Sequence, residues 1–209
     1  EEEKEKATEA VDYAWNILSD FGEVAQITKE KGINGLKKVK IQLGKPIQVM
    51  LGLAAEKIED VTKEFGKVIA EFKYDGARVQ CQKKNDKVWI YTRRLEDLTT
   101  QFPDIVKLAK EGIKADECIV EGEALGIDKN GKPIPFQILS QRIHRKYEID
   151  KMVKEIPVQV NLFDIVYLDG KMLFDKPLKE RREILEKIVK PIPGKFQLAK
   201  QIISDDVKE

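Results

Sequence analysis

Val68-Ile69-Ala70-Glu71-Phe72-Lys73-Tyr74-Asp75-Gly76-Ala77-Arg78 runs from an apolar segment into a lysine, a turn and an arginine. Val68 to Phe72 reads as a short strand, and Lys73-Tyr74-Asp75-Gly76 as the turn that ends it. A lysine amine titrates at about 10.4 when free, so a site using it as a nucleophile has to disfavour the charged form by desolvation or neighbouring cations. Phe72 and Tyr74 offer apolar surroundings and Arg78 a cation. Gly76 permits a tight turn and close approach of backbone to a ligand. The Arg78 guanidinium can grip ribose or phosphate oxygens in a fixed fork. Taken alone, Lys73-Tyr74-Asp75-Gly76 fits a strand-end lysine reaching to solvent better than a nucleophile.

The neighbouring sequence supplies a sheet around it. Val79 to Lys83 and Val88 to Thr92 flank Asn85-Asp86, which predicts a hairpin. Ile119 to Leu125 and Val158 to Tyr167 read as further strands. Phe102 to Glu111 and Leu178 to Val189 read as helices, the second burying Leu178, Ile184, Leu185 and Ile188. Near the start, Val11, Ala14, Trp15 and Leu18 recur at helical spacing and predict a helix over Thr8 to Phe21. Gly32 and Gly35 then punctuate a Lys-rich passage, and a unit boundary is expected near residue 40. Strands clustered with helices between them predict an α+β fold, largely antiparallel.

Composition narrows the chemistry. The chain holds 209 residues with 42% hydrophobic content, enough for one ordinary domain and a smaller piece. Charged residues reach 36%, a composition that suits hot surroundings and equally a solvated surface. With 38 basic and 37 acidic residues there is no global field, so nucleic acid would have to be held by local patches. Lys29 to Lys45 and Gln141 to Lys154 are the two basic stretches, and charge alone favours a solvated face for both. Two cysteines, Cys81 and Cys118, are too few for a disulfide scaffold and fit a reducing compartment. A single histidine, His144, excludes a zinc site of paired histidines. No apolar run approaches the ~20 residues of a membrane span, and no signal peptide is evident. The first residue is Glu1, and the chain is expected to begin partway through a larger protein.

Ordered blocks then carry a resemblance. The K-x-D-G of Lys73 to Gly76 resembles the motif that binds a nucleotide covalently in DNA ligases, RNA ligases and mRNA capping enzymes. Tyr91-Thr92-Arg93-Arg94-Leu95-Glu96-Asp97-Leu98-Thr99 resembles the arginine-bearing block that follows it in DNA ligases. Ile119-Val120-Glu121-Gly122-Glu123-Ala124-Leu125 and Asn161 to Gly170 are similar to the family's motifs III and IIIa. Pro135 to Arg142, and Lys176-Pro177-Leu178 with Arg181-Arg182, resemble segments of archaeal and eukaryotic replicative ligases. Phe21 to Ala25 with Gly35-Leu36 resemble the end of their helical DNA-binding domain. Val49 departs from the family, which usually has Pro before Met-Leu.

That resemblance implies residues 1–40 as the tail of a helical DNA-binding domain and 41–209 as an adenylation domain incomplete at its C-terminus. It implies ATP and Mg²⁺ as cofactors and nicked double-stranded DNA as partner. It implies roles in DNA replication, repair and recombination, with a sliding clamp contacted through other regions and no membrane. The location would be the archaeal cytoplasm and nucleoid, or a eukaryotic nucleus. By position, Lys73 corresponds to the adenylated lysine and Glu71 to the acid that reads the adenine amino group. Arg78 and Arg93 correspond to the arginines near the ribose and nick phosphate. Glu123 corresponds to the acid associated with ribose and metal, and Phe163 to the aromatic stacked on adenine.

The residues alone leave Phe163 open between core and stacking ring. They also leave Glu121 and Glu123 sharing one face, one towards a site and one at its rim. Arg93 and Arg94, at a strand end, suit phosphate contact. Motif IV, motif V and the OB-fold domain of such ligases have no counterpart in this sequence. Rival expectations are therefore an RNA ligase or capping-type enzyme, or a catalytically silent DNA-binding fragment.

Overall fold

A computed structural model of the protein describes residues 2–207. It opens with two helices, α1 (Glu2–Leu18) and α2 (Phe21–Leu36). The single helix expected over Thr8 to Phe21 is thus longer and ends earlier. Asp20 caps α2 by accepting a hydrogen bond from the Glu23 amide at 3.0 Å, and Ser19 takes a positive φ of 53° between the helices. Phe21, the first residue of α2, stacks on Trp15 at 3.7 Å. The Lys-rich passage that glycines were expected to punctuate is helical as far as Leu36. Only Gly32, with φ 61°, breaks α2, because local charge does not oppose a helix that has a core to lie on.

A short helix α3 (Ile58–Phe65) leads into β1 (Val68–Glu71). The expected hairpin is β2 (Ala77–Lys84) and β3 (Lys87–Thr92), with Asn85 in the left-handed region at φ 51°. Then follow α4 (Pro103–Gly112), β4 (Glu117–Gly126), α5 (Phe136–Ile143), α6 (Ile149–Glu155) and β5 (Val158–Leu168). The last elements are β6 (Lys171–Met172), α7 (Leu178–Ile188), β7 (Phe196–Leu198) and β8 (Gln201–Ser204). Among the described residues, the strands form a six-stranded sheet in the order β3-β2-β4-β5-β6, with β7 also on β5, and a separate β1-β8 pair. Every pairing is antiparallel except β5 with β7, which matches the α+β expectation.

The sheet buries both faces. Val79, Cys81, Val120 and Leu162 meet Ile105 and Ala109 of α4, Leu139 of α5 and Leu185 of α7 on one face. On the other, Ile119, Val166 and Tyr167 share a core with Ala10, Ala14, Ile17 and Leu18 of α1, Val24 and Leu36 of α2, and Ile41 and Ile47. The helical pair therefore lies on the sheet across the boundary expected near residue 40. The part of that face beyond the helical pair carries Arg78, Gln80, Glu121 and Glu123, which sit in register on β2 and β4. Two details differ from expectation. Leu178 is exposed, and α7 instead buries Arg181 and Arg182, whose charge is met by acidic partners. Arg142, counted in a basic surface stretch, is wholly buried.

Candidate active site

Lys73, Arg78, Arg93 and Glu123 are spread over 50 positions of sequence yet line one cavity of about 440 Å³. Lys73 follows the end of β1, Arg78 is the second residue of β2, Arg93 follows the end of β3, and Glu123 is central in β4. Antiparallel pairing sets Arg78 directly opposite Glu123 and Gln80 opposite Glu121. Gly76 makes the approach of the Lys73 loop to β4 possible. A Cβ there would come within 2.3 Å of the Ala124 carbonyl oxygen.

The two motif glutamates divide as the sequence allowed. Glu121 is the buried one: Arg78 donates to it, and so does Gln80, at 3.3 Å. Burial pushes its carboxyl up, with Arg78 and Gln80 pulling the other way. Glu123 is partly open to the cavity. Burial also raises its carboxyl, opposed by the charges of Lys73 and Arg78. The missed element is Glu121 as the partner that orients Arg78. The alternation Arg78-Val79-Gln80-Cys81-Gln82 was its signal, since it gives β2 one polar face for a buried acid to meet.

Phe163 is placed by an irregularity the sequence could not announce. Glu121 pairs with Asp164 and Gly122 with Leu162, so the register shift leaves Phe163 as an extra residue in β5. Such a bulge re-aims a side chain. The Phe163 ring lies 5.2 Å from the Arg78 guanidinium carbon, a cation–π contact at the edge of the site. The adjacent Asp164 takes a bidentate pair from Arg181 of α7, at 2.8 and 2.9 Å.

The arginine-bearing turn is built by Thr92. Its hydroxyl accepts from the amides of Arg94 (3.1 Å) and Glu96 (3.2 Å), while Leu95 is held at φ 67°. That left-handed conformation is strained for a leucine. It presents both Arg93 and Arg94 to the cavity. A further, unforeseen part of the wall is Ser140 of α5 with His144 just past its end. Arg142 anchors this helix. It pairs with Asp104 of α4 through both terminal nitrogens, donates to the carbonyls of Gln101 (3.1 Å) and Ile156 (3.0 Å), and lies 4.3 Å over the Phe102 ring.

Glu71 falls elsewhere than the other candidates. It lines a second cavity of about 660 Å³, with Phe72, Arg182, Lys200 and Gln201. Phe72 is 67% exposed and Lys73 is exposed, so the apolar surroundings expected for the lysine are not closed over it. Among the described residues no group of three His, Cys, Asp or Glu side chains could hold a metal ion. No helix among them is long and apolar enough to cross a membrane.

A family model described as the ATP dependent DNA ligase domain matches residues 49–209. A DNA ligase from Nanoarchaeum equitans is 51% identical over 203 residues, taking in 96% of this chain and 36% of that protein. One from Thermococcus onnurineus is 46% identical over 202 residues, again 96% of this chain and 36% of the relative. The chain thus spans about a third of the length of these relatives. Among solved structures, a mycobacterial DNA ligase D complexed with ATP and MES matches 65% of this chain and 40% of its own. The identity is 22% and the TM-score 0.46.

Proposed function

The chain belongs to the ATP-dependent DNA ligase domain family, and we propose that the intact protein seals nicks in duplex DNA, with Lys73 as the residue that carries AMP. The observation that carries this reading is the convergence of Lys73, Arg78, Arg93 and Glu123 on one cavity from four separate strand ends and strands. Residues 1–40 are then the end of a helical DNA-binding domain and 41–209 the larger part of an adenylation domain.

In the first step the Lys73 amine, having lost a proton to solvent, attacks the α-phosphorus of ATP. A nitrogen–phosphorus bond forms, the bond to the β-phosphate bridging oxygen breaks, and pyrophosphate leaves. Arg78, oriented by Glu121, and Arg93 hold the phosphate and ribose oxygens, since phosphoryl chemistry depends chiefly on positioning and charge. Phe163 offers its ring to the base. The AMP then passes to the 5′-phosphate of a nick, and the adjacent 3′-hydroxyl displaces it.

Mg²⁺ ordinarily binds through one or two carboxylates completed by substrate phosphates. A single partly open carboxylate, Glu123, fits that donor set. The ion would offset charge on the phosphates.

The test separates the steps. The Lys73→Ala variant of the intact protein is expected to lose sealing of an ordinary nick with ATP. It should retain sealing of a nick that already carries 5′-AMP. Full ATP-dependent sealing by the variant would refute the assignment.

A further inference from the structure

Two residues that line the larger cavity hold buried polar atoms without hydrogen-bond partners: Arg182 Nη1, a donor, and Gln201 Oε1, an acceptor. Buried groups of this kind ordinarily find partners, because leaving one unpaired is costly. Gln201 is the cross-strand neighbour of Glu71 in the β1-β8 pair, so two acceptors stand side by side. Arg182 is 7% exposed and fixed on its other edges. It donates from Nε to Glu186 at 2.8 Å and from Nη2 to the Ala199 carbonyl at 2.9 Å. That geometry leaves Nη1 aimed at Glu71 Oε1, 3.7 Å away, an ion pair without a hydrogen bond.

We propose that Arg182 and Gln201 complete the base-reading edge begun by Glu71, with Arg182 as a positioning residue that holds the Glu71 carboxylate and Gln201 as a second acceptor for the same exocyclic amino group. This rests on the reading of the protein as an adenylyltransferase. An amino group has two hydrogens to give, and two adjoining acceptors satisfy both. A 6-oxopurine presents an acceptor there instead and leaves both protein acceptors unpaired, the arrangement that discriminates most strongly between analogues. Burial raises the Glu71 carboxyl, Arg182 counters it and Asp164 adds to it, so the guanidinium favours the ionised acceptor.

The test is equilibrium binding to the intact protein of ATP against purine riboside triphosphate, which lacks only the amino group. A hydrogen bond to a charged acceptor is worth about tenfold or more, so the wild type should prefer ATP by that factor. Gln201→Leu and Arg182→Lys should each bring the ratio towards one. The Arg182→Lys effect should vanish in a Glu71→Gln background if the arginine acts through Glu71. Equal binding of both nucleotides by the wild type, unchanged ratios in the folded variants, or an undiminished Arg182→Lys effect beside Glu71→Gln would each overturn the proposal. Binding is read without requiring an adduct. A preference for ATP with no nucleotide on Lys73 would therefore refute the chemistry assigned to Lys73 and leave the base-reading assignment standing.

Discussion

Glu123 sits between opposing electrostatic influences. Burial raises its carboxyl above the usual range even though Lys73 and Arg78 pull it down. A carboxyl whose folded value is raised contributes stability while protonated, and that contribution is lost as pH rises from the ordinary carboxylate value through the raised one. At neutral pH its ionised form is therefore a burden on the fold. Glu123→Gln, which imitates the protonated form, is expected to raise the urea midpoint at pH 7 while slowing nucleotide transfer. The stability gain should shrink to nothing as pH falls below the ordinary carboxylate range. A gain that persists there, or a loss at pH 7, would contradict the assignment. At this scale the ordered blocks that resemble the ligase family singled out Lys73, Arg78, Arg93 and Glu123, which the fold brings to one cavity. Glu121 as the partner of Arg78 and the aim of Phe163 were not legible. The polar alternation of β2 hinted at a buried acid but not at which one, since that depends on strand register, and the aim of Phe163 depends on a bulge that no residue type signals.

Helix α5 shows what an element adds beyond its residues. Its sequence reads as part of a basic stretch, yet its arginine is the anchor. Arg142 ties α5 to α4 and to the turn before β5, and so fixes Ser140 and His144 in the wall of the Lys73 cavity. Removing one partner of a buried ion pair leaves an uncompensated charge and costs about 3–5 kcal/mol. Arg142→Ala should lower the denaturation free energy by about 3 kcal/mol, at the cautious end of that range because Asp104 keeps some exposure to water. A change under 1 kcal/mol in urea melts would show that α5 is held otherwise. Elements with strong periodicity, α4 and the strands β2 to β5, were legible. The short α5 and α6 and the weakly patterned α2 were not, because tertiary contacts rather than local pattern hold them in place.

The whole molecule is nearly neutral, with 38 basic and 37 acidic residues, so contact with a polyanion has to come from clusters. The Lys73 cavity is one, gathering Arg78, Arg93 and Arg94. If the two turn arginines each neutralise a phosphate, replacing both by alanine should reduce the slope of log affinity for nicked DNA against log salt by about two. An unchanged slope would place the DNA path elsewhere. The α+β class and largely antiparallel sheet were legible from strand spacing. The docking of α1 and α2 on the sheet's second face was not, since it joins Ala10 and Ala14 to Ile119 and Val166, more than 100 residues away in sequence. The chemistry proposed for the intact protein rests on Lys73 as the residue that carries AMP. Intact mass of the protein after incubation with Mg-ATP, with Mg-GTP in parallel, tests it most directly. A gain of one AMP from ATP alone, mapped by peptide to Lys73 and absent in Lys73→Ala, is the predicted result. No adduct, an adduct on another residue, or GMP in place of AMP would contradict it.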